Sequence, residues 1–162
     1  MNTKHLSKAY PPNPALEIFT PFLGAWQTLG THGMIPNTTL HGLTTFTLHE
    51  SGAFIVVQST IHEKVGIPDG LAIIGSDDAL GTYIMIYYDE RGVSRHYQLS
   101  LKDNVMRWWR EAPGFSQRTT LTLSQDKETI VGKGEISQNG APWEQDLNLT
   151  YSSTNPFRPA YA

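Results

Sequence analysis

Arg95 and Tyr97 are the residues of this sequence whose types and spacing most directly suggest chemistry. They lie between two turn signals, in a stretch whose residues alternate with the period of a β-strand. One face of that stretch is uniformly polar and carries Ser94, His96, Gln98 and Ser100. We therefore predict that Arg95 and Tyr97, on the other face, point into the protein. A guanidinium beside a phenol hydroxyl is suited to gripping a carboxylate.

Trp108 and Arg110 form a second aromatic and cationic pair, on the next predicted strand. Alternation cannot choose their face, because a tryptophan and an arginine lie on each side of that strand. A buried arginine needs a carboxylate, ordered water or an anionic ligand, since an unpaired charge is costly inside a protein. The structural alternative to a ligand is an ion pair with Glu135 or Glu111.

Large side chains on other strands could cover the apolar body of such a ligand. The period-two pattern favours an inward set consisting of Trp26, Phe46, Tyr83, Met85 and Trp143. His32 shares the face of Trp26, so we weigh it above the other histidines as a ligand or base. These residues, with Arg95, Tyr97, Trp108 and Arg110, are the candidate lining of a binding site.

Signatures of metal binding and catalysis are otherwise thin. The absence of cysteine excludes disulfides, zinc-thiolate sites and iron-sulfur clusters. His41 and His49 share strand parity, but roughly 27 Å of extended chain separates them, so they cannot share a metal. There is no nucleophile elbow and no phosphate-binding loop. Gly132 and Gly134 indicate a bulge or a close backbone approach. No metal and no cofactor are predicted.

Turn signals that recur roughly every 10 to 13 residues define the elements that would position these side chains. The runs between them are rich in aromatic and β-branched residues and suit single strands. The predicted strands are 25–33, 40–49, 53–62, 70–76, 82–89, 93–101, 104–111, 115–124, 129–137 and 142–151. A long meander removes its unpaired edges most simply by closing, so we predict an all-β fold, a single up-and-down antiparallel barrel of about ten strands.

A short helix is predicted before the first strand, as a plug for one end of the barrel. Asn13 and Pro14 are typical of an N-cap and a first helical residue. The apolar residues near one helical face are Leu16, Phe19 and Leu23. Pro21 lacks an amide donor, so we expect a break there or two short turns.

Length and composition fit one domain spanning residues 1–162, with an irregular N-terminal arm at 1–13 and an irregular tail at 152–162. The net charge of −3 offers no broad basic face for nucleic acid. No apolar run is long enough for a membrane span. Tyr10 to Pro14 is proline-rich where a secretory signal would be apolar, so we expect a cytoplasmic protein.

Consecutive aromatic residues indicate a packed surface. Tyr87 and Tyr88, like Trp108 and Trp109, put large rings on both faces of a strand, so some must lie outside the barrel. The expected consequence is a homodimer.

Several short motifs carry a resemblance to a known superfamily. The segment from Phe22 to Trp26, a short helix followed by Gly-x-Trp, resembles the opening of the calycins, the lipocalins and fatty-acid-binding proteins. Together with it, the motifs that are similar to a bacterial calycin-like family of unknown function are 74–77, 87–93, 95–97, Trp108 and 140–146. The resemblance covers about residues 14–151 and implies a barrel with a central cavity, but no reaction.

The same resemblance extends distantly to the nitrobindins, which bind haem through a histidine near the C-terminus. No histidine follows His96 in this sequence, so the haem role does not carry over by position.

Two functions remain open at this point. The first is non-enzymatic binding of a small hydrophobic or amphipathic ligand, with a carboxylate as its expected polar group. The alternative is an enzyme that isomerises, cyclises or decarboxylates a small organic acid, with Tyr97 or His32 as acid or base and Arg95 stabilising an oxyanion or enolate.

Cavity geometry separates these functions. Two titratable groups within hydrogen-bond reach of each other, facing a deep pocket, would favour the enzyme. A lining of aromatic and aliphatic groups with one arginine would favour the binder. A cavity below a few hundred Å³ would favour a filled barrel that acts through its surface.

Overall fold

The computed structural model describes residues 10–49 and 51–154. Most of the predicted N-terminal arm and the tail from residue 155 onward lie outside the described residues. Residues 10–13 lie in neither a helix nor a strand. The last strand continues to Ser153, two residues into the segment where we expected the tail.

Ten antiparallel strands form one closed barrel, as the turn spacing predicts. The strands are β1 (Gly24–His32), β2 (Ile35–His49), β3 (Phe54–Ile61), β4 (Gly70–Asp77), β5 (Thr82–Asp89), β6 (Ser94–Lys102), β7 (Val105–Arg110), β8 (Phe115–Leu123), β9 (Thr129–Gln138) and β10 (Glu144–Ser153). Each strand pairs with the next along the chain, and β10 pairs with β1 to close the barrel. Closure pairs each of these ten strands on both sides, so none of them presents a free edge to another molecule.

The largest difference in strand bounds is at β2, which begins at Ile35 and not at residue 40. The segment from Pro36 to Thr39 has no apolar alternation, and Asn37 takes a positive φ of 61°. Local patterning therefore carries no strand signal there. Pairing of Ile35 with His32 across the tight β1–β2 turn extends the strand instead.

The N-terminal helix is one continuous 3-10 helix over Pro14–Phe22, where we expected a break or two turns at Pro21. Its start is as predicted, because the Asn13 side chain accepts a hydrogen bond from the Ala15 amide at 3.1 Å. Pro21 lacks an amide donor and so cannot close an α-helical hydrogen bond there. At 9 residues the helix is long for the 3-10 form.

This helix closes one end of the barrel by burying the apolar side chains Leu16, Phe19 and Phe22. Trp26 is fully buried, and its indole nitrogen donates to the Phe22 carbonyl at 2.8 Å. The Tyr83 hydroxyl donates to the Ala15 carbonyl at 2.8 Å. Both aromatic residues thus hold the helix in place.

The strand connections at the other end, which we call the open end, are the β1–β2, β3–β4, β5–β6, β7–β8 and β9–β10 connections. No helix within the described ranges is both long enough and apolar enough to cross a membrane.

Candidate functional site

A cavity of about 590 Å³ occupies the barrel between the helix and the open end. This volume lies within the range of sites that bind drug-sized ligands and exceeds that expected of a filled barrel. The apolar part of its wall includes Phe46, Val57, Ala72, Ile74, Met85 and Trp108. The barrel can therefore hold an apolar molecule.

The ten candidate lining residues fall into two groups. Those that line the cavity are His32, Phe46, Met85, Arg95, Tyr97 and Trp108. Trp26 and Tyr83 instead pack beneath it against the helix, where they are part of the core or contact it. Arg110 is not among the residues that line the cavity, and its guanidinium carbon lies over the Tyr97 ring, 5.9 Å from the ring centre.

Trp143 lies on the outside of the barrel, contrary to the expectation that it faces inward. The residue is 38% exposed, and its ring stacks against the Arg118 guanidinium, whose carbon is 4.2 Å from the ring centre. The cause is a bulge in β10: Gln145 pairs with Glu135, but the next pair joins Asn148 to Lys133. One extra residue in a strand reverses which side chains point inward before it.

The same bulge turns Asp146 into the cavity, although strict alternation assigns it to the outer face. Asp146 is buried at 8% exposure and lines the cavity. A signal for the bulge exists in the sequence, because Gly134 lies opposite the extra residue. A Cβ on Gly134 would lie 2.9 Å from the Leu147 carbonyl oxygen, so the two strands approach closely there.

His32 and Asp146 form a short contact in the cavity wall, with 2.9 Å between Nε2 and Oδ1. The Met34 amide, in the β1–β2 turn, donates to His32 Nδ1 at 3.1 Å. Nδ1 must therefore be unprotonated, so the imidazole is neutral and carries its proton on Nε2. His32 thus donates to the Asp146 carboxylate and has no ring nitrogen left for a ligand.

Gln117 connects Asp146 to the tyrosine singled out in the sequence. Its side-chain nitrogen donates to Asp146 Oδ2, and its oxygen accepts from the Tyr97 hydroxyl at 2.5 Å. Burial raises the pKa of Tyr97, and the positive charge of Arg95 opposes that shift. We call His32, Arg95, Tyr97, Gln117 and Asp146 the polar chain.

Hydrogen bonds in the polar chain run in one direction from the Tyr97 hydroxyl to the carboxylate. Tyr97 donates to Gln117, and Gln117 donates to Asp146. β1, β6, β8 and β10 each supply members, so the polar chain forms only when these four strands come together in the barrel.

Arg95 and Arg110 reach the interior without an acidic partner. The ion pairs formed within residues 10–49 and 51–154 include neither of them. The Arg95 guanidinium carbon lies 4.0 Å above the Phe115 ring, and Arg110 Nε is buried with no hydrogen-bond partner.

The expected ion pairs with Glu135 or Glu111 do not form. Glu135 accepts from Arg118 at 2.7 Å in a half-exposed pair, and Glu111 is exposed at the end of β7. Two cationic groups therefore flank Tyr97 with their charge uncompensated by the described residues.

A third arginine at the open end is compensated. Arg91 lines the cavity, and its Nη2 lies 2.7 Å from Oδ2 of Asp89, whose carboxylate is fully buried. The Tyr87 hydroxyl donates to the same carboxylate at 3.0 Å. The hydrogen bonds from Arg91 lower the pKa of Asp89 to about 2, so this pair stays ionised at neutral pH. Arg91 is thus less available than Arg95 for a ligand.

The part of the chain that the structure describes contains no ready metal-binding site. No group of three or more histidine, aspartate or glutamate side chains there is arranged to hold an ion. His32 and Asp146 lack a third ligand of that kind.

Comparison with known proteins supports the fold alone. No protein-family model matches the chain, and no curated protein matches it in sequence. A solved structure, the crystal structure of Rv2717c from M. tuberculosis, superposes with a TM-score of 0.65 at 12% identity, over 88% of this chain and 99% of that one. The likeness supports a distant barrel relationship, while membership of the calycins or nitrobindins stays a prediction.

Proposed function

We propose that the protein binds a small amphipathic anion, with a carboxylate as its expected anionic group, inside the barrel cavity. The observation that carries this proposal is the guanidinium of Arg95, which lines the cavity and for which the described residues supply no carboxylate. Burying such a charge without a partner is costly. A ligand carboxylate would supply the missing partner through charge-assisted hydrogen bonds.

The rest of the cavity suits the remainder of such a molecule. Phe46, Val57 and Met85 present apolar surface to the cavity. Each buried methylene of a ligand is worth about 0.8 kcal/mol. An alkyl or aryl acid would therefore gain from both parts of the wall.

A displacement experiment with matched head groups tests the anion requirement. The neutral fluorescent probe N-phenyl-1-naphthylamine would first occupy the cavity, and decanoate or decan-1-ol would then displace it. Decanoate is expected to displace the probe at concentrations about tenfold lower, since one charge-assisted hydrogen bond is worth about 1.5 kcal/mol or more. Equal potency of the acid and the alcohol would contradict the proposal.

Acid/base catalysis is a second candidate, favoured by the contact between His32 and Asp146 in the cavity wall. The hydrogen bonds of the polar chain leave neither His32 nor Tyr97 in the acid or base role that the sequence suggests. Both ring nitrogens of His32 are engaged, and the Tyr97 hydrogen is committed to Gln117. Asp146 is therefore the base in this proposal, with Arg95 beside the developing enolate.

Hydrogen exchange on a model acid tests this second candidate. With 2-oxodecanoate in D2O, Asp146 would take a proton from C3, the C–H electron pair would form the C2–C3 double bond, and the carbonyl π pair would move to the C2 oxygen to give the enolate. Return of a deuteron would label C3, and proton NMR would show loss of that signal. Exchange no faster than in buffer, or equally fast with Asp146→Asn, would remove the candidate.

We also propose a homodimer, supported by the outer face of β4 and β5. Leu71, Ile84 and Tyr88 are 37%, 42% and 40% exposed there. A cytoplasmic address remains a sequence-based proposal.

A further inference from the structure

We propose that the cavity selects dipolar ligands, in which an ammonium or similar cationic donor accompanies the anionic group, and that Asp146 receives the cation. This inference rests on the proposed anion binding and adds a second charged group to the ligand. It would make the natural ligand an amphipathic zwitterion, such as an amino acid with a large apolar side chain.

Asp146 is a buried carboxylate that lacks a cationic partner among the described arginine and lysine residues. Its hydrogen-bond donors are the neutral imidazole of His32 and the amide of Gln117. Each carboxylate oxygen can accept more than one hydrogen bond, so capacity remains on both. The side chain is 11% exposed and lines the cavity, which gives a ligand access to it.

Opposite charges therefore line one cavity without neutralising each other. Arg95 and Asp146 do not form an ion pair, because Tyr97 and Gln117 stand between them in the polar chain. Direct contact would satisfy both groups and leave nothing for a ligand. The separation instead leaves one cationic and one anionic site.

Hydrogen-bond direction sets which ligand groups fit at each site. The Tyr97 hydrogen is given to Gln117, so the groups offered near Arg95 are guanidinium N–H donors. Near Asp146 a ligand meets the lone pairs of the carboxylate oxygens, which accept hydrogen bonds. The hydrogens of His32 and Gln117 already point at that carboxylate and are not free for a ligand. A simple acid satisfies the first site alone, whereas a zwitterion satisfies both.

Calorimetric titration of the wild-type protein with four related probes tests this inference. The probes are 4-phenylbutan-1-ol, 4-phenylbutanoate, 2-amino-4-phenylbutanoate and 3-amino-4-phenylbutanoate, so that the ammonium lies at two distances from the carboxylate. At least one amino acid is expected to bind about tenfold more tightly than 4-phenylbutanoate. If neither does, the dipolar proposal is wrong.

The same series separates this proposal from the one on which it rests. Tighter binding of 4-phenylbutanoate than of the alcohol supports anion binding whatever the amino acids do. Equal binding of the acid and the alcohol, or no binding of any probe at millimolar concentration, overturns both proposals.

Variants test whether Asp146 causes the preference for the amino acid over the simple acid. In Asp146→Asn, the ratio of affinities for the better amino acid and 4-phenylbutanoate is expected to fall to about one. Glu144→Gln, an exposed carboxylate removed from the same strand, should keep the wild-type ratio. A tenfold ratio that persists in a folded Asp146→Asn protein would overturn the assignment, and the wild-type ratios decide the proposal if that variant does not fold.

Discussion

Replacement of Arg95 by methionine is expected to weaken decanoate binding about 30-fold or more, corresponding to roughly 2 kcal/mol for a hydrogen bond to a charged group. Methionine keeps an unbranched apolar stem that can still pack against Phe115. The loss therefore reports on the guanidinium and not on the shape of the wall. Displacement of N-phenyl-1-naphthylamine in the variant and the wild type measures it.

Arg107→Met is the matched control for this variant. Arg107 lies exposed on the outer face of β7, so the same chemical change there removes a charge without touching the cavity. Decanoate affinity should stay within about twofold of the wild type. Undiminished decanoate binding by Arg95→Met, or an equal loss in both variants, would show that Arg95 does not hold the anion.

Replacement of Gly30 by alanine is expected to destabilise the barrel by about 3 kcal/mol, the upper range for overpacking a well-packed site. Gly30 lies where β1 meets β10 and closes the barrel, paired with Leu149. A Cβ at this position would lie 1.9 Å from the Asn148 carbonyl oxygen. Because that atom belongs to the backbone, the two strands would have to separate. Urea unfolding of the two proteins measures the difference.

Gly75→Ala provides the comparison within another strand of the same barrel. Gly75 lies in β4, and a Cβ there would meet no atom within 4 Å. Alanine should change the free energy of unfolding by less than about 1 kcal/mol, since restricting the unfolded chain favours it where the backbone is unstrained. Similar losses in the two variants would mean that strand propensity, and not the closure contact, explains the effect.

The ten strands follow from the sequence because both of their signals are local. Turn residues such as Asp89 and Gly92 form their bends from neighbouring atoms, and inward alternation repeats over a few residues. Tyr97 and Arg95 could be placed on the inner face for the same reason. β2 is the exception, since its first residues, from Ile35, are a strand through pairing across a turn and not through their pattern.

The sequence pattern could not predict the orientation of side chains that depends on how distant strands pair. The bulge in β10 depends on the register that β9 imposes, and it puts Trp143 outside and Asp146 inside. Trp26 and Tyr83 have the inward parity that the sequence indicates, but the helix fills the space beside them. Gly134 was a visible clue to the bulge, although it could not say which strand carries the extra residue.

The sequence by itself therefore determined a ten-stranded barrel, a helix at one end of it, and an arginine beside a tyrosine on an inner face. Only the tertiary structure decided the partners of those groups: His32 and Asp146 come from opposite ends of the chain and meet because β1 and β10 close the barrel. The physical reason is that alternation depends on neighbouring residues, whereas charge compensation depends on which strands come together. That is why Arg95 could be placed inside the barrel, whereas the absence of an acidic partner for it among the described residues could not be predicted.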